Sequence, residues 1–326
     1  MNIQAATEII EANNNFLIVT HVGPDGDAIG STLGLLNALT ENGKTADAYF
    51  HEEIPEGYLP LIPSKLKPYL FGDLPQFSKY DMIICLDFSS PDRFGKIDFS
   101  KYNSINIDHH PDNTKFASLN FLFPEAAATA VIVFNILKNS QLLRISQNTA
   151  TLLLTGLITD TGGFRFQNTS PAALRSGAEL LEAGADYATI INTVFFSKSA
   201  NLAKMEAEIV CYHLKTDCNG RFAWFFLSDE LLDSFDIIEK DTEGLIDIIR
   251  SIKEFDVVAI LKEKDNGFRI SLRSKHREYS VGSVARKLNG GGHELAAGGF
   301  IPAETLEEAE KILIQEIASL LKISYP

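Results

Sequence analysis

Residues 16–31 read FLIVTHVGPDGDAIGS, an apolar run followed directly by histidine, aspartate and glycine. The run Phe16–Thr20 predicts a buried β-strand, and the apolar spacing of Ala28–Asn42 predicts a helix. Gly23 and Gly26 allow a tight loop between them. In an open parallel sheet the carboxyl ends of the strands form the ligand crevice, so this loop is expected to bind a ligand.

The alternation of strand and helix continues through the first half of the chain. Ala46–Phe50, Met82–Leu86 and Ser104–Ile107 are short apolar or β-branched runs typical of strands. Ala126–Asn139 and Gln147–Ile158 carry apolar residues at helical spacing. We therefore predict an α/β domain with a parallel sheet and helices on both of its faces.

The length of 326 residues predicts two domains, because single cores rarely grow beyond roughly 250 residues. A polar helical stretch marks the boundary, so we predict a catalytic domain at 1–190, a helical linker at 191–214 and a second domain at 215–326. The second domain is expected to be a smaller α+β unit. Its predicted strands and helices are Arg221–Leu227, Val257–Lys262, Phe268–Leu272, Val281–Leu288 and Thr305–Leu321.

Composition restricts the function. The net charge of -14 argues against binding of long duplex nucleic acid but allows a short anionic ligand. The sequence lacks an apolar stretch of membrane-spanning length and a signal-peptide pattern, so we expect a cytoplasmic protein that does not bind membranes. Cys85, Cys211 and Cys218 lack the close pairing of a zinc site and imply no disulfide framework.

The loop after the first strand offers three metal ligands, His21, Asp25 and Asp27. This mixture of imidazole and carboxylate favours Mn²⁺ or another first-row cation over Ca²⁺. Alternatively, the two aspartates are ordinary turn and helix-cap residues.

Polar residues also end two further strands and one helix. Asp87 follows the run MIICL, Asp108-His109-His110 follows SINI, and Asp160 ends an apolar helix. Asp87 taken alone reads as a turn or cap residue, whereas two adjacent histidines beside an aspartate are uncommon without a function. An acid at a helix C-terminus, however, opposes the helix dipole and needs a positive partner.

Together these positions supply enough ligands for two divalent cations, if one carboxylate bridges them. We expect Mn²⁺, with Mg²⁺ and Co²⁺ left open. A metal pair lowers the pKa of water and stabilises charge on phosphorus, which predicts hydrolysis of a phosphate ester. The predicted ligands are His21, Asp25, Asp27, Asp87, His109 and Asp160.

These motifs resemble the four successive motifs of the DHH phosphoesterase superfamily, which includes RecJ-type nucleases. Arg273-Ser274-Lys275 and the stretch GGGHELAAG at 290–298 resemble the associated C-terminal substrate-binding domain. The resemblance is greatest to the compact members that degrade nanoRNA or dephosphorylate 3′-phosphoadenosine-5′-phosphate.

The resemblance implies a role for each motif residue. His21 and Asp25 would hold the first metal, Asp27 and His109 the second, with Asp87 bridging and Asp160 completing the set. As catalytic residues beside Asp87, His110 would contact the scissile phosphate and Asp108 would orient its neighbours.

A second group of residues is expected to bind the substrate. Glycine lets backbone N–H groups approach an anion closely, and the basic segment 269–287 supplies positive charge. A flexible loop and a solvated surface are the alternatives. The predicted residues are Arg273, Lys275, Gly290, Gly291, Gly292 and His293, which would join the metal site from the second domain.

The leading hypothesis is therefore a two-metal phosphoesterase acting on a short single-stranded oligonucleotide or on 3′-phosphoadenosine-5′-phosphate. Cleavage of cyclic or linear dinucleotides is the alternative within the same chemistry, and polyphosphate is a further one. A non-catalytic nucleotide sensor is the alternative of a different class. RNA or DNA, cleavage polarity, and monomer or homodimer stay open.

Overall fold

The computed structural model describes residues 2–66, 69–95, 97–242 and 244–323. The chain divides into two compact units, Met1–Ser197 and Lys198–Pro326. The division lies inside the segment 191–214 for which the sequence predicts a linker.

The first unit is built on a parallel sheet. Its strands are β1 (Asn15–Val19), β2 (Thr45–Phe50), β3 (Leu70–Phe71), β4 (Met82–Leu86), β5 (Ser104–Asp108) and β6 (Leu119–Leu122). They pair in parallel in the order β3-β2-β1-β4-β5-β6. The helices are α1 (Ile3–Ala12), α2 (Gly26–Glu41), α3 (Thr129–Asn139), α4 (Gln147–Asp160), α5 (Pro171–Glu182) and α6 (Tyr187–Phe195). The predicted α/β class is confirmed.

The two faces of this sheet are covered differently. Alternate strand residues such as Ile18 and Ile84 pack in one core with the α-helices. Their neighbours Leu17 and Ile83 pack in a second cluster, where aromatic residues in loops and short 3-10 helices replace α-helices. The α-helices therefore cover one face, and short 3-10 helices and loops cover the other. Large aromatic side chains make this second cover possible, because each buries a large apolar area.

The strand order places a ligand crevice between β1 and β4. The chain runs from β1 to β2 on one side and then returns to β4 on the other side of β1. Such a reversal opens a crevice at the carboxyl ends of the two strands. His21 and Asp87 follow these two ends closely.

Glycines bring α2 and α4 into backbone contact. A Cβ atom on Gly30 would lie 2.5 Å from the Leu152 carbonyl oxygen, and one on Gly156 would lie 2.6 Å from Asp27 Oδ1. The helices can therefore approach this closely only without side chains at these positions. The contact sets the first turn of α2, with Asp27, against the C-terminal half of α4, which ends at Asp160.

The second unit is a mixed sheet with helices. Its strands are β7 (Lys215–Asp217), β8 (Phe222–Phe226), β9 (Val257–Lys264), β10 (Gly267–Ser274), β11 (Gly291–Gly292) and β12 (Ala296–Ile301), in the order β11-β12-β10-β9-β8-β7. Its helices are α7 (Ala200–Glu208), α8 (Asp229–Ser234), α9 (Leu245–Arg250), α10 (Val281–Lys287) and α11 (Leu306–Leu320), and a π-helical turn (Ile209–His213) follows α7. The predicted α+β character is confirmed. Of the helices in the described ranges, none has the length and apolarity to cross a membrane.

We predict that Gly30→Ala destabilises the protein by about 1–3 kcal/mol, the usual cost of overpacking, because the new methyl group meets main-chain atoms of α4. Urea unfolding of the metal-free protein measures the effect. Gly57→Ala is the control, since a Cβ atom there meets nothing within 4 Å. Equal urea midpoints for the two variants would contradict the contact.

Candidate metal centre

The ends of β1 and β4 place His21 beside Asp87. The Thr20 hydroxyl donates to the Leu86 carbonyl at 2.9 Å, which joins the two strand ends. His21 Nε2 then lies 3.9 Å from Asp87 Oδ2. Asp87 has a φ of 64°, a left-handed conformation that aspartate tolerates better than most residues. Both side chains are buried.

Asp25 caps α2 and also belongs to the cluster. Its Oδ1 accepts the N–H groups of Asp27 at 3.1 Å and Ala28 at 3.0 Å. Ligand atoms of His21, Asp25 and Asp87 lie within 4.8 Å of one another. The cap interpretation and the ligand interpretation are therefore compatible, because a carboxylate has lone pairs for both.

Asp27 caps a distant helix. Its Oδ2 accepts the N–H of Thr129 at 2.6 Å, and its Oδ1 accepts the N–H of Ala130 at 2.9 Å. The residue before α3, Ala128, supplies no side-chain cap. This explains why α3 begins at Thr129, three residues later than predicted.

The adjacent histidines have different partners. His109 Nε2 lies 3.6 Å from Asp87 Oδ1 and 3.7 Å from Asp160 Oδ2. His110 Nδ1 instead lies 2.7 Å from Asp108 Oδ1. His109 thus lies between two predicted ligand carboxylates, while His110 has its shortest contact with the buried Asp108 and lies 4.0 Å from Asp87 Oδ1.

A second group of three ligands forms around the end of α4. Ligand atoms of Asp27, His109 and Asp160 lie within 4.8 Å of one another. The Asn168 amide donates to the Asp160 carbonyl at 3.0 Å and to the Ala127 carbonyl at 3.1 Å, which ties the helix end to the start of α3. The structure therefore brings together all six predicted ligands in two groups, with Asp87 Oδ1 close to His109 of the second.

Main-chain carbonyls set the tautomers of two histidines. His21 Nδ1 lies 3.0 Å from the Val22 carbonyl, and His109 Nδ1 lies 3.2 Å from the Ala126 carbonyl. A carbonyl only accepts, so these contacts favour an Nδ1–H group on each ring and leave Nε2 as the nitrogen that can ligate a metal. Histidine ligands of metals are usually oriented in this way.

The carboxylates of the cluster repel one another. Burial, followed by the charges of Asp27 and Asp25, raises the pKa of Asp87 well above its usual value. Burial also raises the pKa of Asp27 to about 6, and Asp25 adds to this effect while His109 opposes it. Buried carboxylates of this density need cations to ionise together, so the donor set fits a group of divalent ions.

Asp108 has a different electrostatic setting. Burial pushes its pKa upward, but hydrogen bonds from His110 and Asn113 outweigh this and hold the pKa below its usual value. The Asn113 amide donates to Asp108 Oδ2 at 2.6 Å. Asp108 is therefore a stable anion that orients His110.

Two polar contacts were not predicted. The Thr129 hydroxyl donates to Asp87 Oδ1 at 2.8 Å, and Asn113 holds Asp108. Asn113 follows the DHH motif by three positions, so its closeness in sequence could have indicated a contact with Asp108. Thr129 gave no such signal, because it lies within an apolar helical pattern.

The predicted substrate-binding residues lie in the second unit. Arg273, on β10, donates from Nη1 to the Leu272 carbonyl at 3.0 Å, and the Lys275 ammonium donates to the Ile252 carbonyl. A Cβ atom on Gly290 would lie 2.0 Å from the Gly298 carbonyl oxygen. Close packing is thus a second reason for a glycine here. Gly291 and Gly292 pair with β12, and His293 follows them directly.

Comparisons with known proteins cover both units. Residues 15–157 match the DHH family, N-terminal domain, and residues 193–319 match the DHHA1 domain. The chain is 31% identical to the bifunctional oligoribonuclease and PAP phosphatase NrnA of Thermus thermophilus, over 97% of this chain and 93% of that protein. It is 30% identical to the probable bifunctional oligoribonuclease and PAP phosphatase NrnA of Streptococcus mutans, over 96% and 97% respectively.

A solved structure also matches nearly the whole chain. It is that of an exopolyphosphatase-related protein from Bacteroides fragilis, with a TM-score of 0.84 and 30% identity. The match covers 97% of this chain and 95% of that one. The sequence comparison and the fold comparison therefore both extend over nearly the whole chain.

We predict that Asp87→Asn raises the thermal unfolding midpoint in EDTA and abolishes metal-stimulated hydrolysis. The amide removes a buried charge that its neighbours repel, yet it tolerates the left-handed backbone and can still accept from Thr129. Scanning calorimetry with and without Mn²⁺ measures the stability. The exposed Asp92 provides the control variant Asp92→Asn. A lower midpoint for Asp87→Asn in EDTA would contradict the account of charge repulsion.

Proposed function

This chain belongs to the DHH family as a member with a DHHA1 domain, and from that premise we propose that it hydrolyses short RNA oligonucleotides and 3′-phosphoadenosine-5′-phosphate. It is a hydrolase of phosphate ester bonds, as the motif resemblance predicted. The relatives named as oligoribonuclease and PAP phosphatase support both substrates, because they match this chain along nearly their whole length.

One observation carries the proposal. Two groups of three ligand atoms, each within 4.8 Å, lie at one sheet edge, and Asp87 belongs to one group while lying 3.6 Å from His109 of the other. These residues would hold two divalent cations, and Asp87 would serve both of them. Mn²⁺ is the proposed ion because the donors mix imidazole with carboxylate, and Mg²⁺ and Co²⁺ are the alternatives.

A bound pair of divalent ions would supply a Lewis acid for the phosphoryl oxygens and an activated water. The chain's own residues hold and orient the reacting groups. His21 and Asp25 would serve one ion, Asp27, His109 and Asp160 the other. The carbonyls of Val22 and Ala126 keep the two histidines in the ligand tautomer.

His110 is the proposed contact to the scissile phosphate. Its Nδ1–H donates to Asp108 at 2.7 Å, which leaves Nε2 as the ring nitrogen for the substrate. A protonated imidazole can donate from Nε2 to an anionic oxygen. The side chain is 25% exposed, whereas that of His109 is 6% exposed, so His110 is the one a substrate can reach.

We also propose the division of labour between the domains, with catalysis in 1–190, a connector at 191–214 and nucleotide binding in 215–326. Arg273, Lys275, Gly290, Gly291, Gly292 and His293 would bind the nucleotide. Arg273 is the stronger cationic candidate, because a planar guanidinium can bind two phosphate oxygens at once, whereas an ammonium acts as a point charge. The substrates in this proposal are short, which suits a protein of net charge -14.

We predict hydrolysis of 2- to 5-nucleotide RNA and of 3′-phosphoadenosine-5′-phosphate with Mn²⁺, and its loss in EDTA. Chromatography of the products gives both rate and polarity. DNA oligomers, linear and cyclic dinucleotides and polyphosphate belong to the same panel. Preference for polyphosphate or a cyclic dinucleotide over every short RNA would reject the proposed substrate.

We predict that His110→Ala lowers kcat by roughly 10²–10⁴-fold, the range for loss of a proton-donating group. Bound Mn²⁺, measured by mass spectrometry of the dialysed protein, should stay at the wild-type level. His213→Ala, which replaces an exposed histidine of the second unit, is the control. If His110→Ala loses metal in proportion to activity, His110 is a ligand instead.

A further inference from the structure

Arg93 is fixed beside the metal centre by its main chain. It ends a 3-10 helix (Pro91–Arg93) in the connection that leaves β4 after Asp87. The next residue, Phe94, is fully buried and stacks on Phe88 with ring centroids 5.9 Å apart. The Arg93 carbonyl accepts the N–H of Val22 at 2.9 Å, so this connection is tied to the loop that carries His21.

The guanidinium group of Arg93 lies at the rim of the cluster. Its Nη2 is 3.4 Å from His21 Nδ1, on a residue that is exposed to solvent. In the described ranges 2–66, 69–95, 97–242 and 244–323, no carboxylate lies within ion-pair distance of this side chain. Within those ranges, Arg93 therefore lies next to several acidic residues without forming an ion pair with any of them.

The contact with His21 uses only part of the hydrogen-bonding capacity of Arg93. His21 Nδ1 also lies 3.0 Å from the Val22 carbonyl, a closer partner than Arg93 Nη2 at 3.4 Å. A guanidinium carries five N–H donors in a planar fork, and the contact with His21 engages one of them. The exposed side chain therefore has N–H groups for a further acceptor.

A phosphate oxygen is an anionic acceptor that suits the N–H groups of Arg93. A guanidinium presents a planar fork of donors that matches two phosphate oxygens, and it stays charged at every relevant pH. Donors fixed in advance near a reacting phosphate stabilise the charge that develops in the transition state. The main chain of Arg93 is held in place by Phe94 and Val22, and its Nη2 contact with His21 keeps the side chain at the rim of the cluster.

We propose that the Arg93 guanidinium binds the non-bridging oxygens of the scissile phosphate, an inference that rests on the phosphoesterase function proposed above. Arg93 is then a catalytic residue that acts beside the metal ligands. It contributes equally to every phosphate ester that the site accepts, because it recognises the phosphate and not the base.

The test compares Arg93→Gln and Arg93→Lys with wild type on a short RNA and on 3′-phosphoadenosine-5′-phosphate. Arg93→Gln should lower kcat/KM by roughly 10²–10³-fold on both substrates, as for other fixed donors to a transition state. Arg93→Lys should recover part of this, since lysine keeps the charge but not the fork. Arg175→Gln, at an exposed arginine of α5, is the matched control.

Calorimetric titration with Mn²⁺ alone separates this role from a structural one. Arg93→Gln should bind Mn²⁺ with wild-type affinity. If affinity falls along with activity, Arg93 only positions His21 and the proposal is overturned. Wild-type kcat/KM in Arg93→Gln would overturn it as well.

A binding measurement keeps the inference independent of turnover. 5′-AMP should bind the Mn²⁺-loaded wild type more tightly than Mn²⁺-loaded Arg93→Gln, by at least about tenfold, the scale of a charged hydrogen bond. Equal affinities would contradict the role of Arg93. Loss of hydrolysis on every substrate in wild type, with the difference in 5′-AMP affinity intact, would reject the proposed function and retain the phosphate contact.

Discussion

The contact between α2 and α4 is the constraint on which the metal centre depends. Glycines allow these helices to touch along their backbones, and a Cβ atom on Gly156 would lie 2.6 Å from Asp27 Oδ1. Asp27 in turn caps α3 from the first turn of α2, so one carboxylate joins three helices. The position of Asp160 follows from the same contact, since it ends α4. The packing of these helices therefore also fixes the relative positions of the predicted metal ligands Asp27 and Asp160.

This helix packing brings together a set of buried carboxylates that repel each other. Burial and then the charges of its acidic neighbours raise the pKa of Asp87, in the direction expected for such repulsion. A ligand that binds only the folded state stabilises it, so cation binding offsets the repulsion. The sequence retains the conflict because a site that binds cations tightly must offer negative charge before they arrive.

Much of this could be predicted from local sequence. Strand and helix periods located β1, β4 and β5 to within one residue at each end, and parallel strands necessarily end at one edge, so His21, Asp87 and His109 converge as expected. The remote cap of α3 could not be predicted, because Asp27 and Thr129 are 102 positions apart and nothing local encodes their contact. The cover of the second sheet face was missed for a related reason, since aromatic residues in loops have no period. The sequence analysis explained the glycines near residue 290 by ligand binding. The close contact of Gly290 with β12 is a second reason for a glycine at that position.

The overall charge bears on the length of the substrate that the site can attract. A net charge of -14 repels polyanions at long range, and this repulsion grows with each phosphate that a substrate carries. Under the proposed function, attraction is then local, from cations held by the carboxylate cluster and from the proposed contact of Arg93, and it acts on one or two phosphates at a time. A short substrate gains this local attraction while adding little long-range repulsion, whereas a long strand adds repulsion with every further nucleotide. The acidic composition therefore favours short substrates by the same electrostatics that make the metal centre able to hold its cations.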